Sequence, residues 1–238
     1  MAGAAAGGFV NGLAGFGVAL FALGFLLTIM TPIEAVAITA ILSVTNGLQG
    51  VWVVRQALRD NPARLARFLI PGLVGVPLGI TLLKIVQADT LKLVIALFLM
   101  AYGGYFSFLK KLPSIAKRRP LTDCAVGFSG GVMGGAASLS GAFPTMWCAL
   151  RGWPKAETRA VLQPFNVTIL GVTTTLLIWE GAYHRETLLR LAIAVPAALL
   201  AAQIGISVFH RLSDRMFSRL LVALCFASGA LLLVRTLT

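Results

Sequence analysis

"GFSGGVMGGAASLSG", residues 127–141, decides how this chain is read. Six of its fifteen residues are glycine and three are serine, yet it lies within a strongly apolar region. Each interior glycine costs a helix roughly 1 kcal/mol relative to alanine. A membrane segment this loosely built at its centre is expected to break there. The question is what the break is for.

Bulk composition places the chain in a membrane. Of its 238 residues, 58% are hydrophobic and 12% charged, with a mean hydropathy of +0.90. Apolar runs near the twenty residues that cross a bilayer recur along its length. A soluble domain of this size needs a charged surface that is absent here. The net charge of +12 sits between the apolar runs, where it meets lipid headgroups and sets orientation; nucleic acid is not an expected partner. Cys124, Cys148 and Cys225 are isolated, with no metal-ligand spacing, and neither a cofactor nor a metal is expected. The start, "MAGAAAGGFVNG", lacks a basic leader region and reads as mature protein.

Working outward, the quoted stretch has a counterpart. "GFVNGLAG" (8–15) matches "GFSGGVMG" (127–134), and later landmarks follow in the same order. "PGLVGVPLGI" (71–80) parallels "PAALLAAQIGI" (196–206), and "LVIALFLMAYGG" (93–104) parallels "RLLVALCFASGA" (219–230). The expected organisation is a first repeat over 1–110, a basic cytoplasmic linker over 111–121 and a second repeat over 122–238. The fold class is all-α integral membrane protein. Each repeat holds one glycine-broken segment (2–30 and 122–152) and three full helices. These are Pro32–Leu58, Arg67–Val86 and Thr90–Leu109, then Pro154–Trp179, Thr187–Phe209 and Arg215–Thr236. Pro164 is expected to kink its helix.

Charge tests whether the broken segments cross or turn back. If all eight segments cross, lysine and arginine divide 12 to 8 between the two sides. If both broken segments return to the side they entered, the division becomes 15 to 5, as positive-inside sorting prefers. Their arms, at twelve or thirteen residues, reach just past half of the roughly 30 Å core. Hairpins are therefore favoured. Three crossings per repeat then invert one repeat against the other, with both termini periplasmic. Each bend meets the midplane, where irregular backbone survives only if buried or lining a cavity. The half-helix after each bend points its N-terminus at the centre, a place suited to an anion. Close helix packing through glycine remains the other reading of the same residues.

Polar side chains within the spans supply candidate contacts. Asn11, Gly15 and Gly17 lie at the first bend, and Gly135, Ser138 and Ser140 at the second. On the helix after Pro32, Thr39, Ser43, Asn46 and Gln49 share a face, with Thr45 beside them. The counterpart helix carries Arg159, Gln163, Asn166 and Thr174. Amides inside a bilayer need partners, so these face a cavity or another helix. Arg159 offers a guanidinium fork matched to a three-oxygen anion; the alternative is that it snorkels to the headgroups. Ser138 and Ser140 donate to a ligand or cap the half-helix. Trp147, Trp153 and Trp179 read as interface anchors.

"GFVNGLAGFG" with the following Pro32, and "GFSGGVMGGAASLSGAFPTMWCALRGWPKAETRA" (127–160), resemble the two repeats of the sulfite exporter TauE/SafE family of bacterial membrane permeases. The resemblance runs from about residue 7 to 235. It implies a secondary transporter in the bacterial cytoplasmic membrane that moves sulfite or organosulfonates such as sulfoacetate. A coupling proton or other ion is a possible second partner. Phe16 and Val18 stand where the family pattern more often has glycine.

Three other functions compete. A passive anion channel shares this composition. A non-transporting scaffold subunit explains small-residue packing but not two interrupted segments with polar stripes beside them. An intramembrane serine hydrolase built on "SLSG" needs a base near Ser140, and His184 and His210 are expected at helix ends instead.

Overall fold

The computed structural model describes residues 2–26, 30–60, 62–85 and 119–237, with scattered positions between 90 and 115. In chain order its helices are α1 (Ala2–Ala14), α2 (Val18–Leu26), α3 (Pro32–Asp60), α4 (Pro62–Ile85), α5 (Pro120–Ala137), α6 (Ala142–Ala149), α7 (Lys155–Trp179), α8 (Arg185–Arg211) and α9 (Asp214–Leu237). No strand occurs among the described residues. Four of these helices, α3, α4, α7 and α8, are long and apolar enough to cross a membrane. The 24 residues of α9 reach about 36 Å. Most of the expected helix Thr90–Leu109 and of the basic linker lies outside the described residues.

Polar contacts, rather than the edge of the apolar run, set several boundaries. A reciprocal box opens α3: Thr31 N donates to Glu34 Oε2 at 3.1 Å and Glu34 N to Thr31 Oγ1 at 3.4 Å. α4 starts at Pro62, five residues before the expected Arg67. Proline suits a helix's first position, and the added turn carries Arg64 to Glu157, with Arg67 just after it facing Asp123. Pro154 caps α7 rather than opening it, and α7 continues through Pro164.

Both broken segments turn back on themselves. Trp147 near the end of α6 donates its indole N–H to Asp123 in the first turn of α5, at 2.7 Å. Had the chain run straight on, 24 residues would separate these groups by about 36 Å. In the first segment, a Cβ on Gly7 would sit 3.0 Å from the backbone of Val18, and Ala4 packs in one cluster with Val18 and Ala22. α2 thus returns along α1. The first turn uses Gly15 (φ 86°) and Gly17 (φ 112°), a left-handed backbone that only glycine adopts without strain. At the second turn Ser138 takes that conformation, with φ 54°.

The arms of each hairpin pack on the other half of the chain. A Cβ on Gly8 or Gly12 of α1 would strike Ala198 or Ala202 of α8, at 2.3 and 2.1 Å. Likewise a Cβ on Gly127 or Gly131 of α5 would strike Phe68 or Gly72 of α4, at 2.2 and 1.9 Å. Meanwhile α3 and α7 pack directly on each other. Glycine lets these backbones meet closely, which drives helix association where the lipid supplies no hydrophobic force. Opposite that seam, α4 exposes Ile70, Val74, Leu78 and Leu82, an apolar stripe suited to acyl chains.

Charged contacts sort the molecule's two ends. At one end lie Arg64 with Glu157, Arg67 with Asp123, and Arg151 beside Trp147 and Trp153. At the other, Lys84 pairs with Glu180 at 2.7 Å and Arg190 with Glu186 at 3.4 Å. This distribution matches the fold-back reading of charge. A straight crossing would set Arg64 and Glu157 on opposite faces.

Candidate functional site

The two bends touch. A Cβ built on Gly141 of the second would lie 2.5 Å from Phe16 of the first, which is itself buried. Beneath them runs the stretch of α7 from Arg159 to Asn166, an axial rise of about 10 Å. At one end of this stretch, Gly15 lies against Gln163 Oε1 and Arg159 Cγ. At the other, Ser140 donates its hydroxyl proton to Asn166 Oδ1. From the opposite side α3 presents Gly47 and Gly50, both against Gln163.

Gln163 ties these elements together. Its Nε2 donates to the Gly47 carbonyl at 3.0 Å and to Asn11 Oδ1 at 3.3 Å, while its Oε1 accepts from Arg159 Nε at 3.3 Å. Arg159 lies beside Phe209 at the end of α8, with its guanidinium carbon 4.3 Å from the ring centroid. It does not snorkel: Arg159, Gln163, Asn11 and Asn46 are all 0% exposed.

These residues leave an unusual set of groups unpartnered. Buried atoms without a hydrogen bond among the described residues include Arg159 Nη1 and Nη2, and the amide nitrogens of Asn11, Asn46 and Asn166. Asn46 Oδ1 is also unpartnered. A buried polar group left unpaired costs about 1–3 kcal/mol, and more if charged. Five orphan nitrogens on neighbouring elements, one pair of them cationic, form an environment that an anion's oxygens would satisfy.

Of the twelve residues expected at the site, the structure links Asn11, Gly15, Arg159 and Gln163 by direct contact and Ser140 with Asn166 further along α7, while Asn46 is buried on α3 next to Gly47, which Gln163 contacts. Gly17 serves the first turn against Val10. Gly135 lies in the α5–α4 seam, where an added Cβ would sit 2.4 Å from the Val76 carbonyl oxygen. The Ser138 hydroxyl donates to the Val36 carbonyl of α3 at 2.9 Å. Thr45 bonds back to Ile41 O and Leu42 O of its own helix, and Gln49 accepts from Gln203 of α8 at 2.9 Å. Phe209 was not legible from sequence as a neighbour of Arg159, because the contact joins helices 50 residues apart. Ser140 faces Asn166, whereas His184 and His210 lie at opposite ends of α8.

The model of the sulfite exporter TauE/SafE family matches residues 1–232. The chain belongs to the sulfite exporter TauE/SafE family. Membership makes it a membrane transport protein and implies export of sulfite or a related sulfur anion. Neither a curated protein nor a solved structure gives a significant match to this TauE/SafE chain. A cluster of buried, unpartnered nitrogen donors is the chemistry that such cargo calls for.

Proposed function

We propose that this TauE/SafE protein is a secondary transporter that moves sulfite or small organosulfonates through a single site at the meeting of its two hairpins. Arg159 supplies the charge, and the amides of Asn11, Asn46 and Asn166 supply directional donors. The half-helices after each bend add their positive ends. One observation carries the reading: among the described residues, Arg159 is fully buried with no hydrogen-bond partner for either terminal nitrogen, and the buried amide nitrogens of Asn11, Asn46 and Asn166 have none either.

The repeats are inverted, each of three crossings plus a re-entrant hairpin, over 1–110 and 122–238, with the 111–121 linker between. Support comes from the reciprocal packing of α1 on α8 and α5 on α4, together with the turn-back of both broken segments. The linker and the Arg64–Glu157 end face the cytoplasm, following positive-inside sorting in a bacterial inner membrane. Access alternates as one repeat rocks against the other about the α3–α7 contact.

Uptake of labelled sulfite and methanesulfonate into proteoliposomes tests this. Saturable flux with counterflow is expected. Flux that rises linearly with concentration and shows no counterflow identifies a passive channel, and no flux from correctly inserted protein identifies a scaffold.

A further inference from the structure

The site's charge inventory also limits which form of the cargo fits. Around Arg159, α1 and α2 carry no ionisable side chain at all. On α3 the charged groups are Glu34, Arg55, Arg59 and Asp60, of which Arg55 comes nearest to Asn46, about two and a half turns along the helix. From α7, Lys155 directs its ammonium at the carbonyls of Phe209, His210 and Leu212, and Glu157 pairs with Arg64. α8 ends in His210 and Arg211, beyond Phe209. α9 begins with Asp214, which accepts from Lys155 N at 2.9 Å, followed by Arg215 and Arg219. On α5, Asp123 is held by Trp147 and Arg67; α6 has no charged residue. Among the described residues no carboxylate lies within ion-pair distance of Arg159.

We infer that the site selects singly charged anions, so that sulfite passes as hydrogensulfite while dianions, sulfoacetate among them, are rejected, which narrows the cargo the family resemblance implies; this rests on the transport reading above. In a low-dielectric site a lone guanidinium is balanced by one negative charge, and a second would be buried uncompensated. The hydrogen-bonding inventory agrees. Asn46 Oδ1 is a buried acceptor without a donor. Hydrogensulfite in its O–H form brings a proton for that acceptor as well as oxygens for the nitrogens. A fully deprotonated dianion brings none. Exchanging the two Asn46 amide atoms changes nothing, since both are unpartnered.

Counterflow in proteoliposomes of the full chain tests the selection, with matched pH on both sides. Labelled sulfite at fixed total concentration is compared with methanesulfonate, which is a monoanion at every pH used. Above the second ionisation of sulfurous acid, sulfite exchange is expected to fall about tenfold per pH unit, following its monoanion fraction. Methanesulfonate exchange stays level, and sulfate in excess fails to inhibit either. Sulfite exchange that holds or rises with pH while methanesulfonate stays level overturns the charge selection and leaves the transport reading standing. So does inhibition by sulfate as strong as by unlabelled methanesulfonate. Absence of exchange for both anions overturns the transport reading and the selection with it. As a second arm, Asn46→Leu removes the lone acceptor, and it is expected to reduce hydrogensulfite exchange more than methanesulfonate exchange. An equal loss of both overturns the role given to Asn46 Oδ1.

Discussion

Trp147 donates its indole N–H to Asp123 across 2.7 Å, joining the end of one hairpin arm to the start of the other. Asp123 is buried and also faces Arg67 at 3.5 Å. The bond therefore clamps the hairpin's open end and pins it to α4. It also requires residues 120 and 152, both exposed, to share one face of the membrane. Single cysteines at these positions, in a background lacking the native three, are expected to react with an impermeant maleimide from the same side. Labelling from opposite sides contradicts the fold-back.

Trp147→Phe keeps most of the ring but removes the donor to a buried carboxylate. A hydrogen bond to a charged group is worth about 1.5–3 kcal/mol, so a clearly lowered Tm in detergent is expected. The cation–π contacts that Arg151 makes with Trp147 and Trp153 survive in part, since a phenyl face remains. An unchanged Tm would mean that the clamp contributes nothing.

The glycine seams predict a graded pair of substitutions. Gly131→Ala places a methyl 1.9 Å from the Gly72 carbonyl oxygen, which forces α5 and α4 apart. Its cost should exceed the 1–3 kcal/mol of ordinary overpacking. Gly171→Ala on α7 meets nothing within 4 Å and should be neutral, or stabilising by about 0.5–1 kcal/mol. Thermal unfolding of the two variants in one detergent checks both signs.

Asn46→Ala and Asn166→Ala each remove an orphan donor from the site. Each is expected to lower transport about 5- to 150-fold, equivalent to about 1–3 kcal/mol, with insertion intact. Asn166→Ala additionally releases the Ser140 hydroxyl, so it should be the more severe. Flux at the wild-type level in both, measured beside membrane-inserted protein, would take these amides out of the site.

The second hairpin was legible in the sequence because two local signals coincide there: glycine weakens the helix, and arginine stands at both ends, Arg119 and Arg151. The first, with no lysine or arginine before Arg55, was legible only through its glycines and its likeness to the second. The α3 and α7 stripes were legible as polar faces but not as partners. Helical spacing places Asn46 and Gln49 three residues apart on neighbouring positions, yet Gln49 meets Gln203 while Asn46 stays unpaired. Which way such a side chain turns depends on the helix across from it, and one helix's periodicity carries no record of that. Trp147 illustrates the same limit, since an interface anchor and a donor to a buried aspartate look alike in sequence.

The most direct test is equilibrium binding of labelled sulfite to purified protein, comparing the native chain with Arg159→Gln and Arg159→Lys at matched Tm. Saturable binding to the native chain is expected. It should be weakened at least about tenfold in Arg159→Gln, which keeps donors but not charge, and less in Arg159→Lys, which keeps the charge. Equal affinity in all three proteins would contradict an anion site built on this buried guanidinium.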